Sequence, residues 1–246
     1  MFRILTYNVH RCVGADRRID LGRVAEVIAA EAPDIVALQE VDVGRARTGG
    51  VDQAHALARR LGMASHFNAA LRVEEEQYGD AILTTRVERL VKAGPLPGYA
   101  RIPRLEPRGA LWVSVDLGGR RELQVINTHL GLVPREQQIQ AAALAGDGWL
   151  GAIDRRDPVI LVGDLNATHR TVVHRTLASR LNDAHALRPA GESRVATFPA
   201  SMPMLRIDHV FVSAGIRVLS LRTIASPLAR AASDHLPLVM DFEIES

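Results

Sequence analysis

Five apolar runs of this chain each carry a polar, metal-competent or acid–base side chain at or next to one end, and this pattern constrains the fold most. In chain order these groups are Asn8, Glu40, His129, Asp164 with Asn166, and Asp234 with His235. Strands that end at one level of a sheet would gather such side chains at one edge. An edge rich in oxygen atoms and containing histidine suits a hard divalent cation and a phosphoester.

The segments between these groups predict an α/β chain whose sheets are mixed rather than purely parallel. Asp20 is a predicted helix cap, and helical spacing covers 20–32, 51–61, 134–150 and 169–181. Predicted strands cover 2–8, 34–40, 66–71, 80–84, 158–163, 206–213, 216–224 and 236–244, with a hairpin of 109–117 and 122–129 across Gly118-Gly119. Polar or proline-rich composition predicts loops over 41–50 and 91–107.

Composition narrows the class of protein. The 246 residues, of which 47% are hydrophobic, suit one domain spanning 1–246 with a substantial core. A net charge of +2 and only 4% aromatic residues argue against a nucleic-acid footprint or a base-stacking platform. Cys12 is the single cysteine, which excludes internal disulfides. We see no secretory signal and no membrane-spanning run, so we expect a cytoplasmic protein.

Asp164 with Asn166 is the strongest local signal for chemistry. Gly163 allows a tight turn before them, and their spacing can place a carboxylate and an amide on one side of an extended segment. Such a pair can orient a water molecule or bind phosphate oxygens. The alternative is an Asx-turn that only leads into the following helix.

His235 and Asp208 form a second candidate pair. A histidine can act as a general base or as a charged donor to phosphate, and it needs an acceptor to orient it. Asp208 lies within an apolar strand, where an unpaired carboxylate would be costly, so a hydrogen bond to His235 would relieve that cost. The alternative is an ion pair between Asp208 and Arg206 or a lysine or arginine of the surface.

Other candidates are weaker when each is taken alone. Glu40 follows a buried run and needs a partner or a cation, unless it lies on the surface. Asn8 and His129 end their own strands, where either could be structural. Arg108 could bind phosphate through two nitrogens or pair with Glu106. Walker, Rossmann, His-Glu-x-x-His and Gly-x-Ser-x-Gly patterns are absent from the sequence.

Taken together, these segments resemble the endonuclease/exonuclease/phosphatase superfamily, also called DNase I-like. The matching segments occur in the family's order and span nearly the whole chain: Thr6-Tyr7-Asn8, Leu38-Gln39-Glu40, Tyr78-Gly79-Asp80-Ala81-Ile82-Leu83, Pro107-Arg108-Gly109, Thr128-His129-Leu130, Gly163-Asp164-Leu165-Asn166, Arg206-Ile207-Asp208-His209 and Ser233-Asp234-His235-Leu236-Pro237. The resemblance implies a four-layer α/β/β/α sandwich, with two mixed β-sheets packed face to face. It also implies a divalent cation, Mg²⁺ with Mn²⁺ as the alternative, bound by Glu40 and by Asn8 or Asp234.

The resemblance further implies hydrolysis of a phosphoester by an activated water. Asp164 would position or deprotonate the water, and Asn166 would bind the phosphate. His235, oriented by Asp208, would be the general base or a phosphate donor, and His129 would act as an acid or phosphate ligand. Arg108 would be a further phosphate ligand.

One segment departs from the family pattern, because Asp80 stands where Asn is common. We therefore consider Asp80, or one of Glu74 to Glu76, as an acidic partner of His129. The expected substrate is a small or lipid-derived phosphoester, and the alternative is nuclease activity on DNA or RNA. A non-catalytic binding module on the same scaffold is the competing class. Arginines in predicted loops could serve any of these substrates and do not decide between them: Arg11, Arg17, Arg18, Arg45, Arg47, Arg101 and Arg104.

Overall fold

The order of strands and helices alternates along the chain, as an α/β protein requires. The computed structural model describes residues 1–118, 121–189 and 195–245, and Gly119 of the predicted hairpin turn lies outside them. The strands are β1 (Phe2–Asn8), β2 (Ile35–Val43), β3 (Ala64–Val73), β4 (Glu76–Thr84), β5 (Glu88–Pro95), β6 (Gly109–Val115), β7 (Leu123–His129), β8 (Val159–Asp164), β9 (Asn182–Asp183), β10 (Asp208–Val212), β11 (Ile216–Thr223) and β12 (Leu238–Ile244). The α-helices are α1 (Leu21–Ala29), α2 (Gln53–Leu61), α3 (Pro134–Ala145), α4 (Val172–Ala178), α5 (Ala184–Leu187) and α6 (Pro227–Ala232).

These strands form two six-stranded sheets. The first has the order β11-β12-β1-β2-β4-β3, and the second has the order β5-β6-β7-β8-β10-β9. Each sheet contains one parallel pair, β1 with β2 and β7 with β8, among antiparallel neighbours. The prediction of mixed sheets is therefore confirmed.

The core consists of three apolar layers. Ile4 and Ile35 of the first sheet meet Val125 and Ile160 of the second sheet in a buried layer between the sheets. The opposite faces of the sheets pack against helices, as when Leu5 packs with residues of α1 and α2 and Leu161 with residues of α3 and α4. Because the central strands are buried on both faces, their sequences are almost continuously apolar. The predicted four-layer sandwich is confirmed.

The helix boundaries follow from local chemistry. Asp20 and Asp52 cap α1 and α2, since their carboxylates accept hydrogen bonds from the backbone N–H groups of Arg23 and His55 at 2.9 Å. Gly62 closes α2 in the left-handed conformation, with φ of +65°. The helix predicted to reach residue 150 ends at Ala145, because the backbone becomes extended at the next residue, a glycine.

Two predicted loops contain strand. β5 occupies 88–95, although this segment was expected to be irregular over 91–107, because β5 is the edge strand of its sheet and Pro95 is its last residue. β2 continues through Glu40 to Val43 and does not end at Glu40. The helix predicted over 169–181 is shorter, Val172–Ala178, and begins where the Thr171 hydroxyl caps it.

Candidate active site

The candidate site lies at one end of the two sheets, where strand register sets polar side chains side by side. Asn8 is opposite Gln39 in the parallel β1–β2 pair, and His129 is opposite Asp164 in the parallel β7–β8 pair. β10 runs antiparallel to β8, so its first residue, Asp208, is also opposite Asp164. The carboxyl ends of parallel strands therefore meet the amino end of an antiparallel neighbour at this edge.

Asn8 joins the two sheets across the site. Its Nδ2 donates hydrogen bonds to Glu40 Oε1 at 3.0 Å and to Asp164 Oδ2 at 3.0 Å. Its Oδ1 accepts a hydrogen bond from the backbone N–H of His10 at 3.0 Å. These contacts place Glu40 and Asp164 on either side of one buried amide group.

Unusual backbone geometry aims two of these side chains. Glu40 has a left-handed φ of +58°, and the β2–β4 register shifts between Leu38 and Val41, which marks a bulge at Glu40. Gly163 has φ of +139°, and a Cβ on it would lie 1.9 Å from the carbonyl oxygen of Thr128. Only glycine lets β7 and β8 approach this closely immediately before Asp164.

Asp164 and Asn166 also form the tight turn that was the alternative interpretation. The backbone N–H of Asn166 donates to Asp164 Oδ1 at 2.8 Å, and Asn166 has a left-handed φ of +48°. The turn leaves Asp164 Oδ2 directed at Asn8 and presents the Asn166 side chain to His129. The turn and the candidate site are therefore one arrangement.

His235 lies between two carboxylates. Its Nδ1 is 2.9 Å from Asp208 Oδ2, and its Nε2 is 3.6 Å from Asp164 Oδ2. Burial lowers the pKa of His235, but the charge and hydrogen bond of Asp208 outweigh burial and raise the pKa well above its usual value. Arg206 pairs with Asp183 at 2.8 Å, so it is not the partner of Asp208.

The surroundings of Asp164 shift the pKa of its carboxyl group in opposing directions. Burial and repulsion from Asp208 raise its pKa, whereas His235 and the hydrogen bonds from Asn166 and Asn8 lower it. The net direction is upward, toward neutral pH. A carboxylate with such a pKa is suited to accept a proton from water.

His129 has contacts on both ring nitrogens. Its Nδ1 is 3.2 Å from Arg108 Nη1, and its Nε2 is 3.0 Å from Asn166 Nδ2 and 3.5 Å from Asp164 Oδ2. Burial, followed by the positive charge of Arg108, holds the pKa of His129 well below its usual value. His129 is therefore neutral at physiological pH.

The structure does not pair His129 with the acidic residues considered for that role. Within the described residues, Asp80 has no hydrogen bond or ion pair with His129, and Glu76 instead pairs with Arg45 at 3.0 Å. Asp80 is fully buried, and burial raises its pKa to about 8, with Arg108 opposing the shift and Glu40 adding to it. The residue that faces His129 Nδ1 is instead Arg108, which immediately precedes β6.

Two further residues predicted for the site also have, or have only, contacts outside it. Arg108 is buried and pairs with Glu106 at 2.9 Å, the alternative considered for it, in addition to contacting His129. The side chain of Asp234 is 49% exposed and lies near His10 and Ser233, and its contacts within the described chain include neither Glu40 nor the Asn8 side chain.

Sequence patterns gave no indication of the polar network that supports the site from below. Gln39 Nε2 donates to Thr6 Oγ1 at 3.0 Å and, across the sheets, to Asn127 Oδ1 at 2.7 Å. Asn127 Nδ2 donates to the carbonyl oxygens of Leu38 and Ala81 at 2.8 and 2.9 Å. These bonds fix the first sheet against the second directly beneath Asn8 and His129.

A second cluster of titratable side chains lies behind the site. Potential ligand atoms of His174, Asp183 and His209 lie within 4.8 Å of one another, although sequence patterns indicated no particular role for these histidines. Asp183 accepts two hydrogen bonds from Arg206, one from His174 and one from a backbone N–H, so its lone pairs are used within the protein. This arrangement is a structural cross-link between α4, β9 and β10. Phe198, also not predicted, packs its ring 4.9 Å from that of His235.

The two packed sheets and their flanking helices define the DNase I-like class of fold, and comparison with known sequences identifies the family. The sequence model of the Endonuclease/Exonuclease/phosphatase family matches residues 5–235. The chain belongs to this family. Within the described residues, no helix is both long and apolar enough to cross a membrane.

Several known proteins are similar over nearly the full chain. The uncharacterized protein YbhP of Escherichia coli strain K12 is 28% identical over 99% of this chain and 96% of its own length. An endonuclease/exonuclease/phosphatase from Beutenbergia cavernae is 25% identical, with a TM-score of 0.77 over 100% of this chain and 72% of that chain. The mannosyl-6-phosphatase Bt3783 of Bacteroides thetaiotaomicron shares the fold, with a TM-score of 0.80 and 18% identity over 99% of this chain and 100% of that chain.

Proposed function

We propose that the chain is a divalent-metal-dependent phosphoesterase that hydrolyses a phosphodiester or phosphomonoester with an activated water. The observation that carries the proposal is the position of Asp164 Oδ2. It lies 3.0 Å from Asn8 Nδ2, 3.5 Å from His129 Nε2 and 3.6 Å from His235 Nε2. A water-activating carboxylate and the Nε2 atoms of two imidazoles, each of which can donate to an anion, thus lie close together at one buried point.

The residues around Asp164 fit a divalent cation. Glu40 Oε1 and Asp164 Oδ2 each lie 3.0 Å from Asn8 Nδ2, so two carboxylates converge on one place at the end of the sheets. Carboxylate and amide oxygens are the ligands that Mg²⁺ prefers. Glu40 would hold Mg²⁺ through its carboxylate, and Asn8 would do so through Oδ1, the amide atom that here accepts a hydrogen bond from the backbone N–H of His10. Mn²⁺ is the alternative ion, and Asp234 would be an additional ligand at the exposed rim. Such a cation polarises a phosphoryl oxygen and stabilises its developing negative charge.

Side chains of the protein activate the water and bind the phosphate. Asp164 orients and deprotonates the attacking water, because its raised pKa brings it near neutral pH. His235, held by Asp208, keeps its proton at neutral pH and therefore serves as a cationic donor to the phosphate and not as the general base. The amide of Asn166 and the ring of His129 provide further donors beside it.

We propose a small or lipid-derived phosphoester as the substrate. Two arginines that could have tracked a nucleic-acid backbone are paired instead: Arg45 with Glu76 at 3.0 Å and Arg47 with Asp42 at 2.7 Å. The net charge of +2 also offers little long-range attraction for a polyanion. The similarity in fold to a mannosyl-6-phosphatase is consistent with a small substrate. We also propose that residues 1–246 act as one domain, since β12 pairs with β1.

The first experiment measures hydrolysis of bis-p-nitrophenyl phosphate and p-nitrophenyl phosphate with Mg²⁺. We expect metal-dependent turnover by the native protein, loss of turnover in Asp164→Ala, and normal turnover in Asp147→Ala, which removes an exposed carboxylate outside the site. Absence of metal-dependent hydrolysis across a broad substrate panel would favour the binding-module alternative.

A second experiment separates substrate classes. Plasmid nicking at physiological salt is compared with phosphate release from sugar phosphates, nucleotides and phospholipids. We expect turnover in the small-substrate or phospholipid arms and little nicking. Rapid nicking at low enzyme concentration would establish the nuclease alternative.

A further inference from the structure

The imidazole of His129 has a nitrogen donor against each of its ring nitrogens. Arg108 Nη1 lies 3.2 Å from Nδ1, and Asn166 Nδ2 lies 3.0 Å from Nε2. The same Asn166 nitrogen donates to the carbonyl oxygen of Leu130 at 3.0 Å, which identifies it as the amide nitrogen and not the amide oxygen. A neutral imidazole has one N–H and one lone pair, so it can accept from only one of these donors.

Arg108 decides which nitrogen carries the proton. A guanidinium group has five N–H donors and no acceptor, and it stays charged at any pH that a protein tolerates. A proton on His129 Nδ1 would therefore point at an N–H of Arg108 in a contact where both residues are almost completely buried. The lone pair must be on Nδ1, and the proton on Nε2.

We infer that Arg108 is a positioning residue that holds His129 in the Nε2–H tautomer, so that His129 and Asn166 form a pair of adjacent donors for one oxygen of an anionic substrate. Their nitrogens are 3.0 Å apart, and two donors at that distance are unfavourable unless they share an acceptor. Asp164 Oδ2 is 3.5 Å from Nε2, too far for a good hydrogen bond. The substrate role of this pair rests on the proposed function, whereas the tautomer does not.

The Nδ1 atoms of the two histidines of the site thus face partners of opposite kind. At His235 a carboxylate faces Nδ1 at 2.9 Å, which requires a proton there and favours the cation. At His129 a guanidinium faces the same ring atom and requires a lone pair, which favours the neutral ring. The lowered pKa of His129 agrees with this assignment. Arg108, expected from the sequence to bind phosphate, acts in this proposal through His129.

Long-range ¹H–¹⁵N spectroscopy of the native protein tests the tautomer without any activity measurement. His129 resonances are assigned by comparison with His129→Gln. We expect an unprotonated Nδ1 and a protonated Nε2 at neutral pH. A protonated Nδ1, in either the other tautomer or the imidazolium, would overturn the inference.

Variants show whether Arg108 is the cause. Arg108→Met removes the donor, and we expect His129 to populate the Nδ1–H tautomer, whereas Arg108→Lys retains Nε2–H because an ammonium group also can only donate. Glu106→Gln is the matched control, since it removes the other partner of Arg108 at 2.9 Å and should leave the tautomer unchanged. If Arg108→Met folds, judged by circular dichroism, and keeps the native tautomer, Arg108 is not its cause.

The donor pair is tested separately with inorganic phosphate in the presence of Mg²⁺. We expect phosphate to shift the His129 Nε2 and Asn166 Nδ2 resonances in the native protein, and the His129 shift to be lost in Arg108→Met. If neither resonance responds in the native protein, the donor pair is wrong. If the protein hydrolyses a model diester, kcat/KM should fall about 10- to 100-fold in Arg108→Met, as for loss of a hydrogen bond to a charged group. Lack of hydrolysis by the native protein would contradict the proposed function and leave the tautomer result standing.

Discussion

His235 and Asp164 face each other with Nε2 and Oδ2 3.6 Å apart, although His235 precedes a strand of the first sheet and Asp164 ends a strand of the second. On its other side, the imidazole contacts Asp208 at 2.9 Å. A positively charged imidazole between two carboxylates leaves these three side chains with one excess negative charge.

Replacing Asp164 with Asn should abolish most of the hydrolytic activity without unfolding the protein. The amide keeps the shape of the side chain but cannot accept a proton from water, so we expect kcat to fall by roughly 10²- to 10⁴-fold. The variant also places an amide NH2 group against a donor, since Asn8 Nδ2 donates to Asp164 Oδ2 and the N–H of Asn166 donates to Oδ1, so the melting temperature should fall while the circular dichroism spectrum stays native. Activity within tenfold of the native protein would contradict the role of Asp164 as the base.

Hydrolysis should require a divalent cation, and Glu40 should set its affinity. We expect chelation with EDTA to stop turnover and added Mg²⁺ to restore it. Glu40→Gln should raise the Mg²⁺ concentration needed for half-maximal turnover, because an amide is a weaker ligand than a carboxylate. Titration of turnover against Mg²⁺ measures this effect, and Glu26→Gln on the exposed face of α1 is the control. An unchanged Mg²⁺ requirement in Glu40→Gln would remove this residue from the metal site.

Asp80 should make the metal-free protein less stable as pH rises. Burial raises its pKa to about 8, so between pH of about 4 and about 8 the folded state holds a proton that the unfolded state has released. Stability contributed by that proton is present at low pH and is lost as pH rises through about 8. Urea unfolding in EDTA at pH 6 and pH 9 should show a smaller pH-dependent loss in Asp80→Asn than in the native protein. Equal losses would contradict the buried position of this carboxyl group.

Arg206 should contribute to stability and not to chemistry. Its guanidinium forms two hydrogen bonds with Asp183, at 3.0 and 2.8 Å, and both side chains are nearly buried. Removing one member of a buried pair typically costs about 3 to 5 kcal/mol, so Arg206→Met should lower the free energy of unfolding by about 3 kcal/mol. Arg156→Met, which breaks an exposed pair with Asp154, should leave the free energy of unfolding almost unchanged, because solvent screens that pair. Similar values for the two variants would mean that the buried pair is not stabilising.

The arrangement of layers was predictable because strand and helix faces that become buried carry apolar residues, and the spacing of these residues can be read from the sequence. Ile4 and Leu5 alternate between the inter-sheet core and the helix-facing core, and the capping residues Asp20 and Asp52 mark helix starts through local bonds. β5 was missed because the four prolines of 91–107 are typical of loops, yet an edge strand tolerates a proline at its end, as β5 does at Pro95. The bulge at Glu40 was also missed, since its cause is pairing with β4 and not local sequence.

The candidate site was predictable as an ordered set of short motifs, and the structure brings Asn8, Glu40, His129, Asp164 and His235 to one edge. Their catalytic roles remain predictions. The sequence could not indicate which group faces each ring nitrogen of His129. The predicted hairpin brings Arg108 beside His129, since Ala110 is opposite Thr128, but the contact between the two side chains depends on how Arg108 packs. The hydrogen bond from Gln39 to Asn127 across the two sheets could not be predicted either, because the local sequence of a strand does not indicate which residue of another sheet it will contact.

The amide of Asn8 contacts Glu40 of its own sheet and Asp164 of the other sheet, so the geometry of the proposed active site is sensitive to loosening between the two sheets. A molten-globule state keeps secondary structure while its tertiary packing fluctuates. Such a state would retain a native far-ultraviolet spectrum but separate the two carboxylates. Enzymatic assay would therefore detect early denaturation that circular dichroism overlooks.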